Sequence, residues 1–187
     1  MLAEETKVET ALETLKVFLW HEMTSFDPRI LSFTQEIRSI CESNGCGRYN
    51  KVWNCPPAVG SLKELEKSLR VYREAILFTE LSWLESPFDW DAMVLGGKSF
   101  DKRLALANNH LKQAFDGTDT AFKLFGSGMC QSCDSCTYPD APCRYPDLLF
   151  TPIEACGINV VELSQKVGIA YNNGENTVTW FGMILIA

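Results

Sequence analysis

The chain has 187 residues, 46% of them hydrophobic and 22% charged, with a formal net charge of -7. That length supports a proper core, so a single domain over residues 1–187 is expected. The acidic balance, without a Lys/Arg block, argues against nucleic acid as a partner, and no apolar run approaches the roughly 20 residues of a membrane span.

Residues 5–22 carry Val8, Leu12, Leu15 and Leu19 at helical spacing, which predicts an amphipathic helix. His21 at its end reads as a solvated side chain before it reads as a ligand. Asp27-Pro28 sets a capping carboxylate before a proline at the first helical position, and Ile30, Phe33, Ile37 and Ile40 supply the apolar face of a second helix ending near Glu42. A loop follows with Cys41, Cys46 and Cys55, the glycines Gly45 and Gly47, and Pro56-Pro57. Its C-x4-C-x8-C spacing fits no single metal geometry. The thiols read as ligands, with packing of Tyr49 and Trp53 as the other way to hold the loop.

Ser61-Leu-Lys-Glu64 is a capping box for a third helix with Leu62, Leu65, Leu69 and Tyr72 inward. Residues 75–81 read as a buried strand and residues 82–98 as an irregular aromatic-rich connection. Ser99 is expected to start a fourth helix, which Asp116-Gly117 stops, with His110 off its apolar face. Residues 120–125 form a second strand that feeds Gly126-Ser-Gly128, so the thiol loop after it lies at the edge of a sheet. Thr151-Pro-Ile-Glu154 reads as a capping box for a short helix ended by Gly157, with Cys156 at its end. Asn159 caps one more short helix. Residues 169–171 and 177–186, joined by Asn172-Asn-Gly174, read as a hairpin. About six helices and four strands result: an α+β fold, a small mixed or antiparallel sheet packed with helices and carrying two cysteine-rich loops.

The chemistry is carried by Cys130-x2-Cys133-x2-Cys136-x6-Cys143-Arg-Tyr-Pro146. Three thiols at C-x2-C-x2-C spacing suit a [4Fe-4S] cubane, whose corner irons each take one thiolate. The gap before the fourth is longer than the x3 of the ferredoxin run, so Cys143 closes the same cluster or serves another. Zinc is the alternative, although structural zinc normally takes two separated Cys pairs. The chain opens Met1-Leu-Ala-Glu-Glu, with neither a basic nor an apolar leader pattern. A reducing cytoplasm is therefore expected, where eight cysteines read as ligands before disulfides.

Taken together, Cys41-x4-Cys46-Gly-Arg-Tyr49, Trp53-Asn-Cys55-Pro-Pro57, the run from Gly128 to Pro146 and Glu154-Ala-Cys156-Gly-Ile158 resemble a family of small prokaryotic proteins described as predicted metal-binding, of otherwise unknown function. The resemblance implies metal ligation by these thiols, as iron–sulfur, in anaerobes or facultative anaerobes, and no particular reaction. Asn50 stands where such proteins are expected to favour glycine. Eight thiols divide into two sets: Cys130, Cys133, Cys136 and Cys143 for one cluster, and Cys41, Cys46, Cys55 and Cys156 for the other. Crossing over between sets is open. If Cys156 is only a buried thiol, the second cubane keeps an open iron able to act as a Lewis acid.

Three functions follow. The first is an electron carrier or redox subunit with one or two cubanes and a redox partner protein. Arg48, Lys51 and Arg144 would offset cluster charge there, and Gly128 and Arg144 are the candidates for contacting the cofactor. The second is a non-redox enzyme using the open iron, with Asp134, Glu42 or Tyr49 supplying a proton. The third is a zinc-stapled interaction module.

Overall fold

The computed structural model describes residues 6–187. Thr6 caps α1 (Lys7–Lys16) through a reciprocal box with Glu9. The expected first helix therefore ends six residues early, its predicted start at residue 5 lying outside the described residues. Leu19 turns the chain with a positive φ of 51°, and β1 (Glu22–Phe26) follows, a strand not anticipated between the first two expected helices. Asp27 caps only a single 3-10 turn, Pro28–Ile30. The chain then runs extended through Leu31, Phe33 bridges to Ile158, and Thr34 caps α2 (Gln35–Glu42). The second helix is thus split, because Phe33 is used for pairing rather than for a helical face.

The Ser61–Glu64 box opens α3 (Leu62–Leu69) as expected, and β2 (Glu74–Trp83) contains the expected strand. The aromatic-rich connection is mostly helix. Asp89 caps α4 (Trp90–Ala114), which continues through Gly96 and Gly97. A Cβ at Gly97 would stand 2.9 Å from the Gln131 side-chain nitrogen, and one at Gly96 would collide with Ser82. The glycine pair is a close-approach surface, not the helix breaker it resembles. Ser99 consequently lies inside the helix, where its hydroxyl reaches Glu80 Oε1 at 3.4 Å.

The strand β3 (Phe122–Gly126) leads into the thiol loop. Thr151-Pro152 is not a cap: these residues are the short strand β4 (Thr151–Pro152), parallel to β3. The next 3-10 turn, Glu154–Cys156, has no side-chain cap. Asn159 caps α5 (Val160–Val167) as expected. The last strand, β5 (Thr177–Ile186), pairs antiparallel with β2 and β3. Residues 169–171 form no strand, so the expected hairpin is absent among the described residues; the second strand instead finds longer partners elsewhere in the sheet.

The sheet is five-stranded and mixed, in the order β1-β2-β5-β3-β4. The α+β class is as expected, with five strands where about four were anticipated. Strand alternation divides two cores. Ala75, Leu77, Phe125, Phe181, Met183 and Leu185 face α3 and α5. Ile76, Phe78, Leu124, Ile184 and Ile186 face α1 and α4. Covering both faces is why β2 and β5 read as continuous apolar runs rather than as alternating ones. No helix among the described residues is long and apolar enough to cross a membrane. β3 lies next to the edge strand β4, so the thiol loop leaves the sheet close to its margin, as its glycines suggested.

Candidate metal centre

The first cysteine loop, residues 41–57, starts from the last turn of α2. Asn44 Oδ1 accepts from the Tyr49 amide at 3.0 Å, and the Asn50 amide donates to the Pro56 carbonyl at 2.8 Å. Asn50 has a φ of 56°. It occupies the left-handed region that glycine would otherwise fill, which asparagine tolerates better than most residues. Buried Val52 and Asn54 sit inward of the loop.

The second loop, residues 127–150, is irregular apart from a 3-10 turn at Pro146–Leu148. Its entry is fixed by Ser127, whose hydroxyl donates to the Phe181 carbonyl at 2.8 Å and accepts from the Phe181 amide at 2.9 Å. Gly128 then turns the chain at a φ of +69°. Arg144 Nη1 donates to the Ser135 carbonyl at 2.7 Å, closing the loop on itself.

The two loops dock on each other. Trp53 Nε1 donates to the Ala141 carbonyl at 3.1 Å and its ring meets Tyr138 edge-on at 4.9 Å. The Tyr138 hydroxyl reaches Asn50 Oδ1 at 3.1 Å, and buried Asn54 donates to the Phe150 carbonyl at 3.1 Å. Aromatic packing thus holds the first loop, through Trp53, but it does so by fastening it to the second.

Between the docked loops lies a cavity of about 110 Å³ whose lining includes all four thiols of the second run, Cys130, Cys133, Cys136 and Cys143. Arg48 and Lys51 from the first loop and Arg144 from the second line the same cavity. Three cations therefore look onto four thiols, and two of them arrive from a segment more than 70 residues away. Asp134 also lines it, whereas Glu42 and Tyr49 do not. All eight cysteines are free; Cys46 is exposed, Cys156 buried and the other six lie between.

The first-loop thiols are electrostatically close. Burial pushes Cys55 up to about 12, and Cys46 and Cys41 add to the rise while Arg48 opposes it; Cys130 of the other loop contributes as well. Cys41 is raised first by burial, with Arg38 opposing and Cys46 and Glu154 adding. Cys156 is pushed up to about 12 by burial above all, against Lys123 and Arg38. Thiolates in these places are costly without a cation, and a coordinated metal reverses that balance by deprotonating the thiol outright. As they stand, no three His, Cys, Asp or Glu side chains among the described residues are grouped to hold a metal ion.

Cys156 belongs to the apolar core beneath α3 and α5, with no exposed surface. Its turn is tied to α2 by Arg38, a buried guanidinium that donates to the Ala155 carbonyl and, at 2.7 Å, to the Gly60 carbonyl. Arg38 is one turn before Cys41 on the same face of α2, and the sequence offered no signal for it beyond that spacing. His21 and His110 are exposed and line neither cavity that the cysteines line: His21 reaches Asn173 at 3.2 Å and His110 meets the Phe18 ring at 5.2 Å.

A second cavity, of about 270 Å³, adjoins the thiol cavity. Asp101 and Lys98 of α4 line it together with Gln131 and Ser132 of the second loop. Ser132 lines both cavities, and its hydroxyl is 3.5 Å from Cys130 Sγ. Burial lifts the Asp101 carboxyl to about 7.

A family model described as "Predicted metal-binding protein (DUF2284)" matches residues 24–186, nearly the whole chain. No curated protein and no solved structure matches it.

Proposed function

The chain belongs to this predicted metal-binding family, and we propose that it is an iron–sulfur protein carrying one or two [4Fe-4S] clusters and passing single electrons to a partner protein in the cytoplasm. The observation that carries the reading is the convergence of Cys130, Cys133, Cys136 and Cys143 on one cavity faced by Arg48, Lys51 and Arg144. The donor set fits the group: soft thiolates suit iron–sulfur clusters, and a thiolate-bound cubane is an anion that neighbouring cations stabilise.

The thiol loop has no regular strand or α-helix between Gly126 and Pro146. Its side chains can therefore close on a metal at the cost of loop ordering, and binding then contributes to folding. Cys41, Cys46 and Cys55 form the second set. The loops that carry the two sets dock on each other through Trp53 and Asn54, which supports two neighbouring centres. A bound cluster supplies the one-electron chemistry; the chain's part is to hold it, to screen it behind Trp53 and to set its potential through Arg48, Lys51 and Arg144.

The test is anaerobic purification followed by assay of iron, acid-labile sulfide and zinc per chain, with spectra before and after dithionite. About eight irons indicate two cubanes and about four indicate one. Stoichiometric zinc without iron or sulfide replaces this reading with the zinc-stapled module. Iron without any electronic change on reduction removes the electron-transfer role.

A further inference from the structure

Lys98, Asp101, Lys102 and Ala105 follow one another at i, i+3, i+4 and i+7, so they form one stripe along the middle of α4. That stripe is a wall of the cavity of about 270 Å³ beside the thiol cavity; Gln131 and Ser132 of the thiol loop and Leu148 of the 3-10 turn complete it. Gln131 lies against α4 at Gly97, where an added Cβ would stand 2.9 Å from its side-chain nitrogen. Cations farther along α4 are taken: Arg103 pairs with Glu80 at 3.4 Å and Lys112 with Asp147 at 2.9 Å. Among the described residues, Lys98 and Lys102 pair with no carboxylate, not even with Asp101 on the same stripe.

Two ammonium groups in this cavity outweigh one carboxyl. Burial also lifts the Asp101 carboxyl to about 7, with no hydrogen bond or opposite charge offsetting it. The cavity is therefore net positive at neutral pH and attracts an anion. Ala105, Leu148 and the lysine stems give it an apolar wall that an inorganic oxyanion would leave unused. The stripe is also mid-helix, so it lacks the free N–H groups with which a helix N-terminus holds phosphate. The Gln131 amide and the Ser132 hydroxyl offer hydrogen bonds to carboxylate oxygens instead. The volume is at the small end of ligand cavities.

We propose that this cavity is a binding site for a small organic carboxylate, its charged end held by Lys98 and Lys102 and its apolar end lying against Ala105 and Leu148. Ser132 lines the thiol cavity as well, and its hydroxyl is 3.5 Å from Cys130 Sγ. One side chain thus separates the bound anion from the second thiol run. The site goes beyond the electron-transfer reading and does not require it, since both lysines stand on α4 and not on a cysteine loop.

The experiment is isothermal titration calorimetry on the full-length chain, purified without oxygen, with butyrate, butyramide and inorganic phosphate as probes at constant ionic strength. Wild type is compared with Lys98→Ala, Lys102→Ala and Lys112→Ala. Both cavity lysines are exposed and mid-helix, where alanine is the best helix former, so the variants fold, as far-ultraviolet circular dichroism checks. Wild type and Lys112→Ala bind butyrate alike, and Lys98→Ala and Lys102→Ala each bind it about tenfold more weakly. Butyramide, of the same shape without the charge, does not bind. Absence of butyrate binding by wild type, or equal binding by the two cavity-lysine variants, overturns the proposal, as does butyramide binding as tightly as butyrate. Phosphate binding more tightly than butyrate, and weakened by the same two variants, overturns the ligand class in favour of an inorganic anion. Calorimetry does not read iron, so a chain that binds butyrate but carries no iron overturns the iron–sulfur reading alone.

Discussion

Asp101 offers a sharp test of the electrostatics around the second thiol loop. It lies on α4 facing Gln131 and Ser132, and burial raises its carboxyl from 3.8 to about 7. A folded pKa above the unfolded one means that the native state favours the protonated acid. The group is then neutral in both states below about 4. As pH rises through the interval from 3.8 to about 7, the unfolded chain ionises first and the native state loses stability relative to it. The whole rise corresponds to about 4 kcal/mol, of which about 3 falls above pH 5. Asp101 retains contact with solvent through an open cavity, and screening reduces the usable part to roughly 1–2 kcal/mol. Asp101→Asn removes the ionisation and keeps the shape. Urea unfolding of wild type and variant at pH 5 and pH 8 should therefore show the variant gaining about 1–2 kcal/mol on wild type between the two conditions. A stability difference between the two proteins that is the same at both pH values refutes the reasoning.

Other consequences are as direct. Gly182 is paired with Phe78 in the register of β2 and β5, and a Cβ there would collide with the Phe78 ring. Gly182→Ala should therefore cost about 1–3 kcal/mol in denaturant unfolding, as overpacking does. Asn54→Ala leaves the Phe150 carbonyl without its donor at the junction of the two cysteine loops. It should cost about 1–3 kcal/mol and raise the hydrogen-exchange rate of residues 41–57 and 127–150. Cys136→Ser should lower iron per chain in anaerobically purified protein while leaving far-ultraviolet circular dichroism unchanged, because Cys136 lies in the thiol cavity and outside both core clusters. Arg144→Ala breaks the tie to Ser135 and removes a cation from the cavity. It should release iron faster to a chelator and lower the reduction potential, read by anaerobic titration.

Local signals in the sequence were reliable wherever a side chain and its backbone partner are a few residues apart. The Ser61–Glu64 box and the Asn159 cap start helices as read, since a cap is satisfied within its own turn. The same patterns failed where a distant strand outbid the cap. Thr151-Pro152 joined β3, and Phe33 bridged to Ile158 instead of lengthening a helix. Gly96-Gly97 read as a break because glycine weakens an isolated helix, yet here the missing side chains let α4 lie against Ser82 and Gln131. The edge strand β1 was illegible because it pairs with β2 alone and has no fully buried residue to set an alternating pattern.

For the candidate site, sequence alone determined which donors are on offer: the type, number and spacing of the cysteines are known before any coordinate. What only the tertiary structure decided is which groups look at one another. The arrival of Arg48 and Lys51 over the second thiol run depends on Trp53 and Asn54 docking one loop on the other. The burial of Cys156 in the core depends on a three-residue turn that Arg38 ties to α2. Spacing along a chain fixes what a loop can present, but direction is set by packing against segments that the local sequence does not contain.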